Sequence, residues 1–275
     1  MISIIIINYL QKDFLAKCVQ SIYKNFNKNV EVIIVNNSKE ENLSDLKEFY
    51  PLLTIIENEN TGYSKANNLA AKRAKGEYLL FLNADTEILN DFTEDLVSKF
   101  RNFDFGAAGL KLQYEDGRFQ NSFGFFPTIL NEYKNKKAEL AFKKNNLKYI
   151  KEREEKYSEV KEVDWVTGAA LFIKKSTFDK IKGFNERFFL FYEDIDLCCR
   201  LHKAGYKNYY YPRSKIIHHK SEYLRPEFKK ESCKISKKSQ ILYYKLHNSF
   251  FQLLLLKIYL FFEKSLRNRT DNKFS

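Results

Sequence analysis

Glu77-Tyr78-Leu79-Leu80-Phe81-Leu82-Asn83-Ala84-Asp85-Thr86 is an apolar run that ends abruptly on a carboxylate. Its length and its aromatic and leucine content suit a buried strand. An acid at the end of a buried strand is costly unless something binds it. A divalent cation carrying a diphosphate would satisfy it. A second acidic group, Glu193-Asp194-Ile195-Asp196, lies far downstream, and a histidine pair, His218-His219, follows. The three clusters together point to chemistry on a phosphorylated substrate.

Upstream of the opening stretch, strand and helix patterns alternate. Ile2 to Ile7, Val30 to Val35 and Leu52 to Ile56 read as strands. Leu15, Val19, Ile22, Tyr23 and Phe26 recur at helical spacing, and a helix over 63–74 is stopped by Gly76. The alternation predicts a parallel α/β sheet with right-handed crossovers. Such sheets bind ligands beyond the carboxyl ends of their strands. Asn8, Asn36, Asn60 and Asp85 fall at or just past those ends. Downstream, Phe105 to Leu112 predicts another strand. Residues 128–160 hold nine Lys/Arg and six Asp/Glu, the pattern of a solvated helical insertion or a flap. Strand-like sequence returns over 163–173, a helix over 192–204 closes at Gly205, and short strands at 209–211 and 215–217 lead to the histidines.

The 275 residues can bury one large core or two small ones, and 44% hydrophobic content fits a folded protein. A net charge of +12 calls for anionic partners: nucleic acid, acidic lipid or a phosphorylated substrate. The sequence carries no helix-turn-helix, zinc or RNP signature, which argues against nucleic acid. Cys18, Cys198, Cys199 and Cys233 form no C-x-x-C pair and read as free thiols of a reducing cytosol. The apolar N-terminus has no basic start and reads as a strand, not a signal peptide.

Seven pieces in order resemble family-2 inverting glycosyltransferases of the GT-A fold, particularly bacterial rhamnosyltransferase-like members. They are Ile5-Ile6-Ile7-Asn8-Tyr9, the run 32–38 ending Asn36-Asn37-Ser38, and the run 59–68 holding Asn60, Gly62, Tyr63 and Asn67. The others are Leu82-Asn83-Ala84-Asp85-Thr86, Thr167-Gly168-Ala169-Ala170-Leu171, the run 193–200, and 218–221. The family often has Asp where Asn36 stands and Asp-x-Asp where Asn83-Ala84-Asp85 stands. The resemblance implies a GT-A catalytic domain over 1–224, a Rossmann-like mixed sheet flanked by helices. It also implies a UDP- or dTDP-sugar donor, a glycan or lipid-linked glycan acceptor, and a role in bacterial surface polysaccharide synthesis. A nucleotidyltransferase or a non-catalytic nucleotide-sugar-binding protein is the alternative.

Each candidate residue has a chemical reading and a plainer one. Asp85 suits Mg²⁺ or Mn²⁺, which take hard oxygen ligands, or it caps a helix near 89–100. The family pattern points to His218 as the second metal ligand, with His219 as the alternative. Asn8, Tyr9, Asn36, Asn37, Asn60, Gly62, Tyr63, Asn67 and Asn83 form the implied nucleotide site. Asn36 and Asn37 either bond a pyrimidine edge or terminate the strand. Gly62 either lets an anion approach a helix N-terminus or makes an ordinary turn. Asp194 is the implied general base, with Glu193 orienting it. Adjacent carboxylates repel, which raises one pKa. Asp196 and Arg200 are spaced for a helix-surface ion pair. Trp165, Thr167 and Gly168 shape the sugar and acceptor pocket.

Residues 225–275 form a basic tail with twelve Lys/Arg against four Asp/Glu, a net +8. Phe251, Leu254, Leu255, Ile258, Phe261 and Phe262 share one helical face. A span of 14 apolar residues from Ser249 is about 21 Å as helix, too short for a bilayer. The tail is therefore expected either to lie on an anionic membrane surface at the cytoplasmic face or to pack on the domain or on a second subunit as a homodimer.

Overall fold

The computed structural model describes residues 1–26, 30–102, 104–219 and 226–271. Lys220 and Ser221 of the histidine motif, the expected boundary at 224/225 and the side chain of Phe262 lie outside the described residues. The chain opens β1 (Ile2–Asn8), α1 (Lys12–Asn25), β2 (Val30–Asn36), α2 (Ser44–Phe49), β3 (Thr54–Glu57), α3 (Tyr63–Arg73) and β4 (Tyr78–Asn83). It continues β5 (Thr86–Ile88), α4 (Thr93–Phe100), β6 (Ala107–Gln113), β7 (Phe119–Gln120), β8 (Phe123–Gly124), α5 (Ile129–Lys143) and α6 (Leu147–Lys156). Then come β9 (Lys161–Val163), β10 (Trp165–Val166), β11 (Ala170–Lys174), α7 (Lys175–Lys180), α8 (Glu193–Lys203), β12 (Asn208–His218), α9 (Pro226–His247) and α10 (Phe250–Asp271).

The main sheet runs β3-β2-β1-β4-β11-β6-β12-β5. β1 to β4 are parallel neighbours, β11 is antiparallel to both β4 and β6, and β12 is parallel to β6. The sheet is therefore mixed, as the resemblance implies, and the parallel sheet expected from the alternation holds for β1 to β4. β1 is apolar almost throughout because both of its faces are covered. Ile4 and Ile6 join Leu15, Val19 and Ile22 of α1 in one buried cluster. Ile5 joins Ala66, Ala70 and Ala71 of α3 in the other. From β1 the chain builds outward to β3, then returns to place β4 on the other side of β1. That reversal opens a crevice at the carboxyl ends of β1 and β4.

Two stretches around Asp85 and His218 differ from the sequence expectation. Thr86–Ile88 is a short strand paired with β12, and Thr86 sits opposite His218. The helix that follows starts at Thr93, after Phe92. Asp85 therefore caps no helix and lies in the link between two strands. The two short strands expected before the histidines are one strand, β12, whose register shifts between Tyr211 and Ile216.

The charged insertion forms α5 and α6, with Phe142 and Ile150 buried against the sheet. The tail is two helices. Tyr243, Tyr244 and Leu256 bury together with Phe188 and Cys199, with Ile195 and Ile129 packed against them. One face of the tail thus covers α8 and α5. The other face leaves Phe250, Phe251, Leu254, Ile258 and Phe261 exposed.

Candidate active site

A cavity of about 830 Å³ fills the crevice. Tyr9, Asn37, Asn60, Gly62, Tyr63, Asn83, Asp85, Trp165, Thr167, Gly168, Glu193, Asp194 and His218 all line it. Three residues read from the sequence as nucleotide ligands do not. Asn8 and Asn36 are register partners on adjacent strands, so their side chains meet each other. Asn8 Nδ2 donates to Asn36 Oδ1 (3.0 Å) and to Glu41 Oε2 (2.9 Å), and Asn36 Nδ2 donates to Glu57 Oε2 (2.8 Å). Asn67 is fully buried and donates to the Tyr63 carbonyl one turn earlier (3.0 Å). The amide groups of these carboxamides donate to protein partners and not into the cavity.

Gly62 adopts φ +92°, and a Cβ there would meet the Phe189 carbonyl oxygen at 2.6 Å. The backbone that needs the glycine is thus that of residue 189, and the Tyr63 amide donates to the same carbonyl at 2.7 Å. This corrects the anion reading of the Gly62 turn: the first amide of α3 is already committed to protein. Tyr63 reaches the other side of the site. Its hydroxyl donates to the Gly168 carbonyl at 3.0 Å. Burial, with Glu193 and Asp194 nearby, pushes the phenol pKa well up, so the hydroxyl stays a donor.

Asp194 stands at the start of α8. Its Oδ2 accepts from the Gly168 amide (2.9 Å) and its Oδ1 from the Ile195 amide (2.8 Å). Burial raises its pKa, and the amide hydrogen bonds oppose that rise without cancelling it. The expected cause was repulsion from Glu193, but desolvation is the larger one. The turn before α8 is strained: Phe191 and Tyr192 both have φ +67°, left-handed backbone that aromatic residues rarely adopt. Each such residue costs about 1–3 kcal/mol and survives only where the surroundings fix it. Asp196 pairs with Arg200 (2.7 Å) and with His247 of α9 (2.7 Å), but it is fully buried, so the pair is not the helix-surface one expected.

At the far side, His218 Nε2 lies 3.4 Å from Asp85 Oδ1 and 3.4 Å from Asn83 Nδ2. His218 Nδ1 lies 2.7 Å from Gln120 Oε1, and Gln120 Nε2 donates to the His218 carbonyl. The two contacts fix which end of the carboxamide faces the ring. Nδ1 therefore carries the proton, and the Nε2 lone pair faces Asp85. His219, the alternative ligand, is engaged elsewhere: its ring nitrogens contact Glu87 and Glu115. Among the described residues no three His, Cys, Asp or Glu converge as a metal cage. One carboxylate and one unprotonated imidazole nitrogen fit a hard divalent ion whose remaining ligands would be diphosphate and water oxygens.

Gln120 and Glu41 line the cavity and escaped the sequence reading. Glu41 accepts from the Gln11 and Lys12 amides, bracing the start of α1. The tail was also missed as part of the site: Glu231, Ser232, Ile235 and Ser236 of α9 close one side of the cavity.

The profile of glycosyl transferase family 2 matches residues 3–159. The chain belongs to that family. A second profile, the N-terminal domain of galactosyltransferase, matches residues 152–224 of this glycosyltransferase. Rhamnosyltransferase WbbL of Escherichia coli (strain K12) is 25% identical over 228 residues, 80% of this chain and 83% of that protein. The N-acetylglucosaminyl-diphospho-decaprenol L-rhamnosyltransferase of Mycobacterium tuberculosis (strain CDC 1551 / Oshkosh) is 42% identical over 59 residues. That match spans 22% of this chain and only 19% of the mycobacterial protein. The mannosyltransferase PcManGT from Pyrobaculum calidifontis, in complex with GDP-Man and Mn²⁺, superposes with a TM-score of 0.61 at 16% identity, covering 94% of this chain and 69% of that one. GalNAc-T7 with UDP, GalNAc and Mn²⁺ gives 0.60 at 16% identity, covering 80% of this chain and 44% of that one. At those identities the likeness shows the GT-A fold alone.

Proposed function

We propose that this family-2 glycosyltransferase moves a sugar, with inversion, from a UDP- or dTDP-sugar to a hydroxyl of a lipid-linked glycan in surface polysaccharide synthesis. The observation that carries the reading is that Asp194 and the Asp85–His218 pair open onto one cavity. Asp194, held by two backbone amides, takes the proton of the acceptor hydroxyl as that oxygen attacks the anomeric carbon. The bond from that carbon to the diphosphate breaks on the opposite face, which inverts the configuration. Asp85 and His218 would hold Mg²⁺ or Mn²⁺, whose charge offsets that of the leaving diphosphate. Glu193 orients the base. Tyr9, Asn37, Asn60, Tyr63 and Asn83 hold the nucleotide, and Trp165, Thr167 and Gly168 shape the sugar pocket. The printed name of the mycobacterial relative supports a lipid-linked acceptor, and RfbC of Myxococcus xanthus, an O-antigen biosynthesis protein, supports the setting.

Among the described residues no helix is long and apolar enough to cross a membrane. The exposed face of α10 and the basic charge of the tail support peripheral binding to the inner face of the cell membrane. The reading is tested by a donor panel of UDP-, dTDP- and GDP-sugars, with the anomeric configuration of the product read by NMR. Turnover of a UDP- or dTDP-sugar to an inverted product is expected; a retained configuration overturns the base assignment.

A further inference from the structure

We propose that Glu132 of α5 is a positioning residue for the general base: with Ser239 and Gln240 of α9 it holds the left-handed turn that sets Asp194 against the Gly168 amide. The inference rests on the glycosyltransferase reading above and adds what keeps its base in place. The turn, Leu190 to Tyr192, lines the cavity just ahead of Asp194. Two consecutive aromatic residues at φ +67° do not hold that backbone by themselves. Contacts from α5 and α9 fix it. Ser239 Oγ donates to the Leu190 carbonyl at 2.8 Å. Tyr192 Oη donates to Glu132 Oε1 at 3.4 Å, and Gln240 Nε2 donates to the same oxygen at 2.8 Å. The Tyr192 ring also packs on that of Tyr243, with centroids 5.8 Å apart. Burial raises the pKa of Glu132, while the hydrogen bonds from Gln240 and Tyr192 oppose the rise. A part-buried acid is costly, and these two bonds offset the cost.

Tyr192 is also where α8 begins. Its carbonyl accepts from the Asp196 amide at 2.8 Å, so a shift at Tyr192 passes to the start of the helix. Asp194 depends on that placement, because the 2.9 Å bond from the Gly168 amide to its Oδ2 joins α8 to a separate stretch of chain ahead of β11. Without Glu132 the turn can relax toward ordinary backbone, and Asp194 leaves the Gly168 amide. That bond favours the ionised carboxylate, so its loss raises the Asp194 pKa and spoils its aim at the acceptor hydroxyl. Asp194 is also faced by Tyr63 of α3 and by Tyr192, Glu193 and Cys198 around its own helix start, all of which a substitution at Glu132 leaves in the chain.

The test compares full-length Glu132→Ala and Glu132→Gln with wild type, by hydrogen exchange of the peptide spanning 189–196 and by the pH profile of sugar transfer. In Glu132→Ala exchange there should quicken, kcat should fall about tenfold to a hundredfold, and the acid limb should move to higher pH. Donor affinity should change far less than kcat. Glu132→Gln keeps an acceptor oxygen for Tyr192 and Gln240 and should restore most of each loss. Ser239→Ala should move the same quantities in the same direction. Unchanged exchange over 189–196 in Glu132→Ala overturns the proposal, as does quickened exchange with kcat and the acid limb unmoved. A fall in kcat with the acid limb in place marks a merely structural role, and a loss that Glu132→Gln does not restore marks a role for charge; either overturns it. Wild type that transfers sugar from no donor in the panel would instead fault the glycosyltransferase reading, a failure the exchange measurement does not share.

Discussion

Asp194 is a carboxylate whose burial opposes ionisation while two backbone amides favour it, and burial prevails. A base must be ionised to accept a proton. Transfer should therefore fall as pH drops through the pKa of this group, and the acid limb should lie above the ordinary 3.8 of an aspartate. A kcat/KM profile that stays flat down to that ordinary value would contradict the assignment. The linkage has the opposite sign for stability. A carboxyl whose pKa rises on folding stabilises the fold at low pH and loses that contribution as pH rises through the folded value. Asp194→Asn should thus unfold no more readily than wild type at neutral pH. Gln120 acts through His218 by fixing its tautomer. Gln120→Leu should raise the Mn²⁺ concentration needed for half-maximal transfer about 10–100-fold, and EDTA should abolish transfer in both proteins. Unchanged Mn²⁺ dependence, or full activity in EDTA, would remove Asp85 and His218 from a metal role. The clusters that hold Asp85, Asp194 and His218 stand out in the sequence because acids and imidazoles at strand and helix ends are conspicuous, but it is the family resemblance that singles out Asp194 over Glu193 and His218 over His219. Asn8 and Asn36 misled because a position at a strand end does not say which way a carboxamide points; their shared register turns them toward each other. Gln120 gave no signal, since a lone glutamine in an aromatic stretch has neither period nor charge.

Element by element, the parallel half of the sheet was readable because β1, β2 and β4 are short apolar runs broken by helical periodicity. β5 was not, because three residues carry no pattern and the strand exists only through its pairing with β12. The tail reads from the sequence as basic, amphipathic and helical, with its partner left open. It is two helices, and the packed side is set by residues such as Tyr243, Tyr244 and Leu256, whose cover comes from distant α8 and α5. Leu256 is buried, so Leu256→Ala should cost about 2–5 kcal/mol and lower Tm by several degrees in a thermal melt. An unchanged Tm would mean that α10 is not docked as described.

The whole molecule joins a GT-A core to a basic helical layer that also walls the cavity. Removing the chain after Pro226 therefore strips cover from α8 as well as charge from the surface, so truncation is a blunt probe of membrane binding. Phe251→Asp with Ile258→Asp is sharper, because both side chains are exposed. The pair should abolish binding to anionic vesicles in a flotation assay while leaving Tm within a few degrees, and high salt should weaken wild-type binding. If wild type ignores vesicles and the variant loses a dimer instead, the face is a subunit interface.

The most direct measurement is single-turnover sugar transfer by Asp194→Asn with the donor bound. The variant keeps the size and hydrogen-bonding reach of the side chain and removes its basicity. Transfer is expected to fall about a hundredfold or more, with UDP- or dTDP-sugar affinity unchanged. Near-normal transfer, or a loss that tracks weakened donor binding, would contradict Asp194 as the base.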